Sequence, residues 1–310
     1  MSPDRYDVAV IGGGPAGSFC AARLAQAGAR VALCHRAGAR RSTVELLSGR
    51  ARWMMREVAM PAGVEVFETM SLWGGTEPAV RDSIFDPYGP ALAVERAELD
   101  AALREFARSC GVTLVDARIR SVCRRDRRWI VEDGLVADWI VLATGGAPKP
   151  ALGREEEIVH RQTAFFARCA SSATPRLRIE RAEHGWWYGM PVPSGGLFLG
   201  LCSGKEVRLD EALAETRMMA GLVEGPLSAR WGMPASIRCY SQAVGEGWIA
   251  VGNAAFSPDP LSGEGVWFAL NTAQAAGDVL LGQSTPAQYQ ARIDAAAQTH
   301  VASRRIVLAG

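Results

Sequence analysis

The 310-residue chain is poor in the features that would assign it quickly to a metal, disulfide, membrane or nucleic-acid class. Its seven cysteines, at positions 20, 34, 110, 123, 169, 202 and 239, form no Cys-x-x-Cys pair and are odd in number, so they predict the reduced, buried thiols of a cytoplasmic protein. Four histidines, at 35, 160, 184 and 300, show no metal-ligand spacing, and no metal is expected. With 34 basic and 33 acidic side chains the net charge is +1, which gives no reason to expect a nucleic-acid partner. No apolar run reaches the roughly 18 residues of a membrane span, and the chain enters its first strand too early to leave room for a signal peptide. The remaining composition, 48% apolar and 22% charged, is that of a globular protein with chain enough for two packed domains and a large core.

Residues 7–36 carry the strongest local signal. The apolar run Tyr6-Asp7-Val8-Ala9-Val10-Ile11 leads into Gly12-Gly13-Gly14-Pro15-Ala16-Gly17, which fits G-x-G-x-x-G, and a helix over 18–27 is stopped by Gly28 before a strand over 30–34. Gly12 would make the turn, Gly14 would let a pyrophosphate approach the backbone, and Gly17 would let the helix pack on the sheet. The pyrophosphate would rest on the free N–H groups of the helix N-terminus. About 20 residues on, where a carboxylate commonly takes the ribose hydroxyls, stand Cys34-His35-Arg36. A histidine has one hydrogen bond per ring nitrogen to offer there and lacks two carboxylate oxygens.

Beyond a long irregular stretch at 37–61, the periodicity predicts a helix over 97–110, a short strand over 112–115 and a meander of strands over 118–124, 128–132 and 135–143. The last of these is continuously apolar, as a strand buried on both faces requires, and runs into Thr144-Gly145-Gly146. Antiparallel strands are predicted over 176–183, 186–190 and 197–202, then a helix over 206–223. A strand over 247–252 feeds a glycine-bearing loop at 253–264, followed by helices over 265–281 and 286–305. Residues 64–71 fit a strand or a helix. No second G-x-G-x-x-G occurs, so a separate nicotinamide-binding domain is not expected.

The segments 12–17, Val94-Glu95-Arg96-Ala97-Glu98-Leu99-Asp100, Ala143-Thr144-Gly145 and 252–265 occur in the order seen in FAD-dependent oxidoreductases of the p-hydroxybenzoate hydroxylase fold, and the chain resembles that family over nearly its whole length. The resemblance implies an α/β fold: a Rossmann-like FAD-binding domain of parallel sheet plus β-meander at 1–60, 92–150 and 242–310, with an inserted antiparallel-sheet substrate domain at 61–91 and 151–241. It implies FAD held by Gly12, Gly14, Pro15, Ala16, Gly17, His35, Arg36, Arg96, Ile119, Gly145, Gly252, Asn253, Pro260, Gly263 and Gly265. The family's usual Gly-Asp is Gly252-Asn253 here, a second departure beside His35. Phe256 before Asp259-Pro260-Leu261-Ser262, the Trp73-Gly74-Gly75 turn and Gly185-Trp186-Trp187-Tyr188 are similar to the tryptophan-halogenase-like branch, and most to flavoproteins that hydroxylate tryptophan in a partner protein during tryptophylquinone maturation. The halogenases' Trp-x-Trp-x-Ile-Pro motif is absent.

That resemblance implies a monooxygenase acting on an aromatic ring, indole or tryptophan by preference, free or in a peptide or protein, through a flavin hydroperoxide. Electrons would come from NAD(P)H or a separate flavin reductase. Trp73, Trp186 and Tyr188 are candidate substrate-lining residues, with Trp187 sent to the opposite face by strand alternation. Glu45 and Asp259 are candidate acid/base groups, and Asp259 could equally brace its own proline-rich loop. Three alternatives stay open at this point: a flavin-dependent reductase or dehydrogenase, a halogenase, and a scaffold subunit that binds FAD weakly.

Overall fold

A computed structural model of the chain describes residues 5–36, 43–146 and 152–309. The chain forms two compact units, one built from Met1–Ala39, Asp100–Val159 and Ile237–Ala309, the other from Arg40–Leu99 and His160–Ser236. Residues 43–60 and 92–99, grouped from the sequence with the cofactor domain, cluster with the second unit.

In the first unit, strands Arg5–Ile11, Val31–His35 and Leu135–Leu142 run parallel, with Arg5–Ile11 in the middle. Thr113–Asp116 extends this sheet beyond Val31–His35, and Trp248–Ala250 extends it in parallel beyond Leu135–Leu142. Val10, Ile140, Val141 and Leu142 are fully buried, which is why these strands read as unbroken apolar runs and not as alternating ones. The helices Pro15–Gln26 and Gly265–Leu280 pack together, joined by an Arg23–Asp278 ion pair. The meander expected after residue 118 is present, but its first strand covers only Val122–Arg125. It turns into Arg128–Val131 through Asp126 and Arg127, at φ of 47° and 66°, the left-handed pair that matches the twist of a tight hairpin.

The second unit holds a three-stranded sheet, with Ala91–Glu95 between Val44–Leu47 and Gly63–Val66, and a seven-stranded one. The larger sheet runs Glu224–Pro234, Thr163–Ala170, Leu197–Ser203, Gly185–Pro191, Leu177–Ala182, Glu68–Leu72, Ala79–Asp82. Residues 64–71 are thus two strands, split between the two sheets. One face of the larger sheet carries Trp187, Leu197, Leu199 and Leu201 against Leu209, Ala212, Leu213 and Met219.

The helix expected over 206–223 is not formed: only Leu209–Ala214 is α-helical, and Ala220–Leu222 is a single 3-10 turn. The cause is Glu180, which is 1% exposed. Its carboxylate accepts from the backbone N–H of Arg217 at 2.5 Å and of Met218 and Met219 at 3.0 Å each, and so holds those donors away from a helical ladder. The strands Thr163–Ala170 and Glu224–Pro234 were not anticipated. The second is an exposed edge strand with Pro226 near its start, a left-handed Ala229 and register shifts against its partner, so it shows no alternation. Glu180→Ala leaves three N–H groups unpaired and is expected to destabilise the protein by about 3 kcal/mol or more, with Glu180→Gln losing less, both read from urea unfolding midpoints.

Candidate functional site

Three glycine-bearing loops meet at the carboxyl ends of the parallel strands of the first unit. They follow Arg5–Ile11, Leu135–Leu142 and Trp248–Ala250, and the first two flank the point where the strand order reverses. The contacts are too close for side chains. A Cβ on Gly12, whose φ is 118°, would lie 2.3 Å from the Ala143 carbonyl oxygen. One on Gly17 would lie 1.8 Å from the Gly12 oxygen, and one on Gly252 would lie 3.1 Å from Ala16 Cβ.

The helix Pro15–Gln26 opens here with Gly14 as N-cap, no side-chain cap and no acidic residue in its first turn. Pro15 takes the first position, where its missing N–H costs nothing, and the free donors of the following residues face the loop with the positive end of the helix dipole. Thr144 Oγ1, Ser18 Oγ and His35 Nδ1 are buried and lack hydrogen-bond partners among the described residues. Around Gly145, Gly263 and Gly265 an added Cβ would meet no atom of the described residues within 4 Å. Bare donors, unpartnered polar atoms and an open glycine rim together fit a dinucleotide such as FAD.

His35 ends its strand beside Asp116 in the parallel pairing, and Arg36, next in the chain, is exposed. Arg104 Nη1 donates to the Gly13 carbonyl at 3.1 Å. Burial and then the Arg104 charge lower the His35 pKa, only partly opposed by Asp116 and the Arg36 backbone, so the imidazole is neutral at pH 7. Ile119 is half-buried against the core of this unit.

In the loop at 252–265, the Gly252 N–H donates to Thr272 Oγ1 at 2.8 Å, and Asn253 is half-buried in the 3-10 turn Gly252–Ala254. Asp259 is 3% exposed and fully engaged: one oxygen caps the turn Pro260–Ser262 through the Leu261 N–H at 3.0 Å, and the other meets Arg304 Nε at 2.6 Å. The Asp259 N–H donates to His300 Nε2 at 2.7 Å. This is the bracing arrangement, and the sequence left it open beside an acid/base one. Gly263 closes the turn at φ 63°.

In the second unit, Arg96 Nη1 pairs with Glu45 Oε1 at 2.9 Å, and Arg168 makes a bidentate pair with Glu95 at 2.7 and 2.8 Å. That second pair ties the small sheet to the large one, and the Arg168 guanidinium lies 5.6 Å from the Phe198 ring centroid. On the sheet face opposite Trp187, the rings of Trp186 and Tyr188 stand 5.6 Å apart, with Phe198, Phe166 and Trp231 continuing the cluster. The alternation expected for 186–188 therefore holds. Tyr188 lies across Gly200, where a Cβ would fall 2.2 Å from its ring. Burial first, then Cys202 and Glu45, hold the Tyr188 phenol well above its ordinary pKa. Trp186 is 6% exposed and its Nε1 has no partner among the described residues, while Trp73 sits beneath Arg181 at 5.9 Å. Sequence reasoning missed Arg104, Thr144, Phe166 and Trp231. Arg104 is one arginine among several on an amphipathic helix, and the other two rings lie on the unanticipated strands.

The model of the pyridine nucleotide-disulphide oxidoreductase family matches residues 6–173. The putative FAD-dependent oxidoreductase LodB of Marinomonas mediterranea is 28% identical over 98% of this chain and 93% of its own. The menaquinone reductase of Mycobacterium tuberculosis is 29% identical over 89% of this chain and 77% of its own. Among solved structures, the myxobacterial chondrochloren halogenase CndH superposes with a TM-score of 0.79 at 20% identity, over 95% of this chain and 79% of that one. The peptidyl tryptophan dihydroxylase QhpG gives 0.75 at 23%, over 98% and 74%. The fold is that of the flavin halogenases and monooxygenases.

Two outcomes follow from this geometry. Gly17→Ala drives a Cβ into the Gly12 carbonyl and is expected to lower flavin retention at least about tenfold, read from the visible spectrum of the purified protein. His300, lowered by burial with Asp259 partly opposing, serves as an acceptor only when neutral. Its folded pKa lies below its unfolded one, so this stabilisation is complete above about pH 6.5 and is lost as pH falls toward the folded value. Unfolding midpoints at pH 7.5 and 5.5 should diverge in the wild type and less so in His300→Gln.

Proposed function

The chain belongs to the pyridine nucleotide-disulphide oxidoreductase family, and from that premise we propose that it is an FAD-dependent monooxygenase that hydroxylates an aromatic ring, with indole, in tryptophan or a tryptophan-bearing peptide or protein, as the substrate class. It is a flavin oxidoreductase by family and by relatives that span nearly its whole length. The observation that carries the finer reading is the continuous aromatic face of the second unit, Trp186, Tyr188, Phe198, Phe166 and Trp231, beside two fixed arginine–carboxylate pairs. The likeness to a dihydroxylase of peptidyl tryptophan supports the same class.

Bound and reduced, FAD supplies electrons and activates dioxygen, one oxygen atom entering the ring and the other leaving as water. The electrons come from NAD(P)H or from a separate flavin reductase. In the first unit, the N–H groups after Gly14 hold the pyrophosphate and Thr144 offers a hydroxyl at the rim. In the second, the aromatic face packs the substrate ring and excludes water, Tyr188 stays protonated and offers its hydroxyl as a donor, and Arg96 fixes the position of Glu45 for proton transfer.

The 29% identity to a menaquinone reductase favours one competing reading, reduction of a quinone without oxygen. Purified protein would be incubated with FAD, NADH, a flavin reductase, ¹⁸O₂ and a tryptophan-bearing peptide, then analysed by mass spectrometry. Incorporation of ¹⁸O into the indole is expected. Anaerobic consumption of a quinone with no oxygenated product would replace this proposal with the reductase, and a brominated product in bromide buffer would replace it with halogenation.

A further inference from the structure

His35 and Arg104 crowd the same backbone unit. A Cβ on Gly13 would lie 2.6 Å from His35 Cβ and 3.1 Å from Arg104 Cδ, and Arg104 also donates to the Gly13 carbonyl. His35 Nδ1 is buried without a hydrogen-bond partner among the described residues. In a Rossmann site the end of the second strand is where the adenosine ribose is read: a carboxylate there accepts from both hydroxyls and repels a phosphate, whereas an arginine nearby receives a 2′-phosphate. Here that place holds an imidazole and a guanidinium.

We propose that this corner accepts a 2′-phosphorylated adenosine ribose, so that the site takes adenine nucleotides carrying that phosphate at least as well as those with a free ribose diol, through Arg104 and His35. The inference rests on the reading that the glycine cradle holds a dinucleotide, and it specifies the ribose that cradle prefers. Two charges bear on His35, Arg104 from the helix Arg96–Ser109 and Asp116 from the neighbouring strand, while the backbone of Arg36 contributes a hydrogen bond. The Arg104 charge acts on the ring more strongly than that of Asp116, and Arg104 also reaches the Gly13 carbonyl, so the corner favours an anion even with the imidazole neutral. A phosphate oxygen beside Nδ1 would draw a proton onto the ring and add a second charge-assisted bond.

The test is a competition titration of FAD-equilibrated protein, followed by the flavin released, with AMP, adenosine 2′,5′-bisphosphate and adenosine 3′,5′-bisphosphate as displacing ligands. The 2′,5′-bisphosphate is expected to displace FAD at or below the concentration AMP requires, and below that of its 3′,5′ isomer. Arg104→Gln should shift the ratio toward AMP by about tenfold, the scale of one charge-assisted hydrogen bond. His35→Glu should shift it at least as far while FAD itself is held as well or better. Thermal midpoints of both variants serve as the fold check. A wild-type preference for AMP of tenfold or more, equal displacement by the two bisphosphates, or a ratio that neither substitution moves would overturn the proposal and leave the monooxygenase reading intact. Failure of FAD itself to bind would overturn both.

Discussion

The exclusion of side-chain carbon between Gly12, Gly17 and Ala143 is the constraint on which the first unit depends. The backbone oxygen of Gly12 lies where a Cβ on residue 17 would be, and the oxygen of Ala143 where a Cβ on residue 12 would be. Two loops and a helix can share that space only as bare main chain. The consequence is chemical as well as steric, because main chain packed this closely presents N–H groups and not side chains to whatever lies above it. The loop at Gly252 closes against Ala16 by the same logic.

The second unit is organised by carboxylates held in place by other groups. Glu180 gathers three consecutive backbone donors and determines where the chain at 217–219 leaves its helix. Glu95 joins the two sheets through Arg168, and Glu45 is gripped by Arg96. A carboxylate taken wholly out of water, as Glu180 is, or partly, as Glu45 and Glu95 are, is costly unless paired, and each of these is paired in a way that fixes a loop or a sheet edge. Together they hold one face of the large sheet for aromatic rings, while the opposite face is closed by leucines.

Legibility followed the range of the interactions. The glycine loops, the parallel strands and the opposite facing of Trp186 and Trp187 were readable because each depends on spacing within a few residues. The break at 214–220 was not, because its cause, Glu180, is more than thirty residues away and looks from the sequence like one more strand acid. Glu224–Pro234 escaped for a different reason: an exposed edge strand has no buried face to impose alternation on its residues. Arg104 was hidden because only the third dimension brings it to Gly13.

His35 and Asn253, each standing where the resemblance leads one to expect a carboxylate, are the features that would speak for a scaffold subunit that binds FAD weakly. The surrounding polar atoms argue the other way. Thr144 Oγ1, Ser18 Oγ and His35 Nδ1 are each buried with no partner among the described residues, and a buried polar group left so costs about 1 to 3 kcal/mol. A glycine turn serving only to pack a helix on a sheet gains nothing from three such groups around it, and apolar residues of similar size would be more stable there. Their arrangement around an uncapped helix N-terminus makes physical sense if a polar ligand satisfies them. Under that account His35 belongs to a nucleotide site whose ribose corner has exchanged a carboxylate for cationic chemistry.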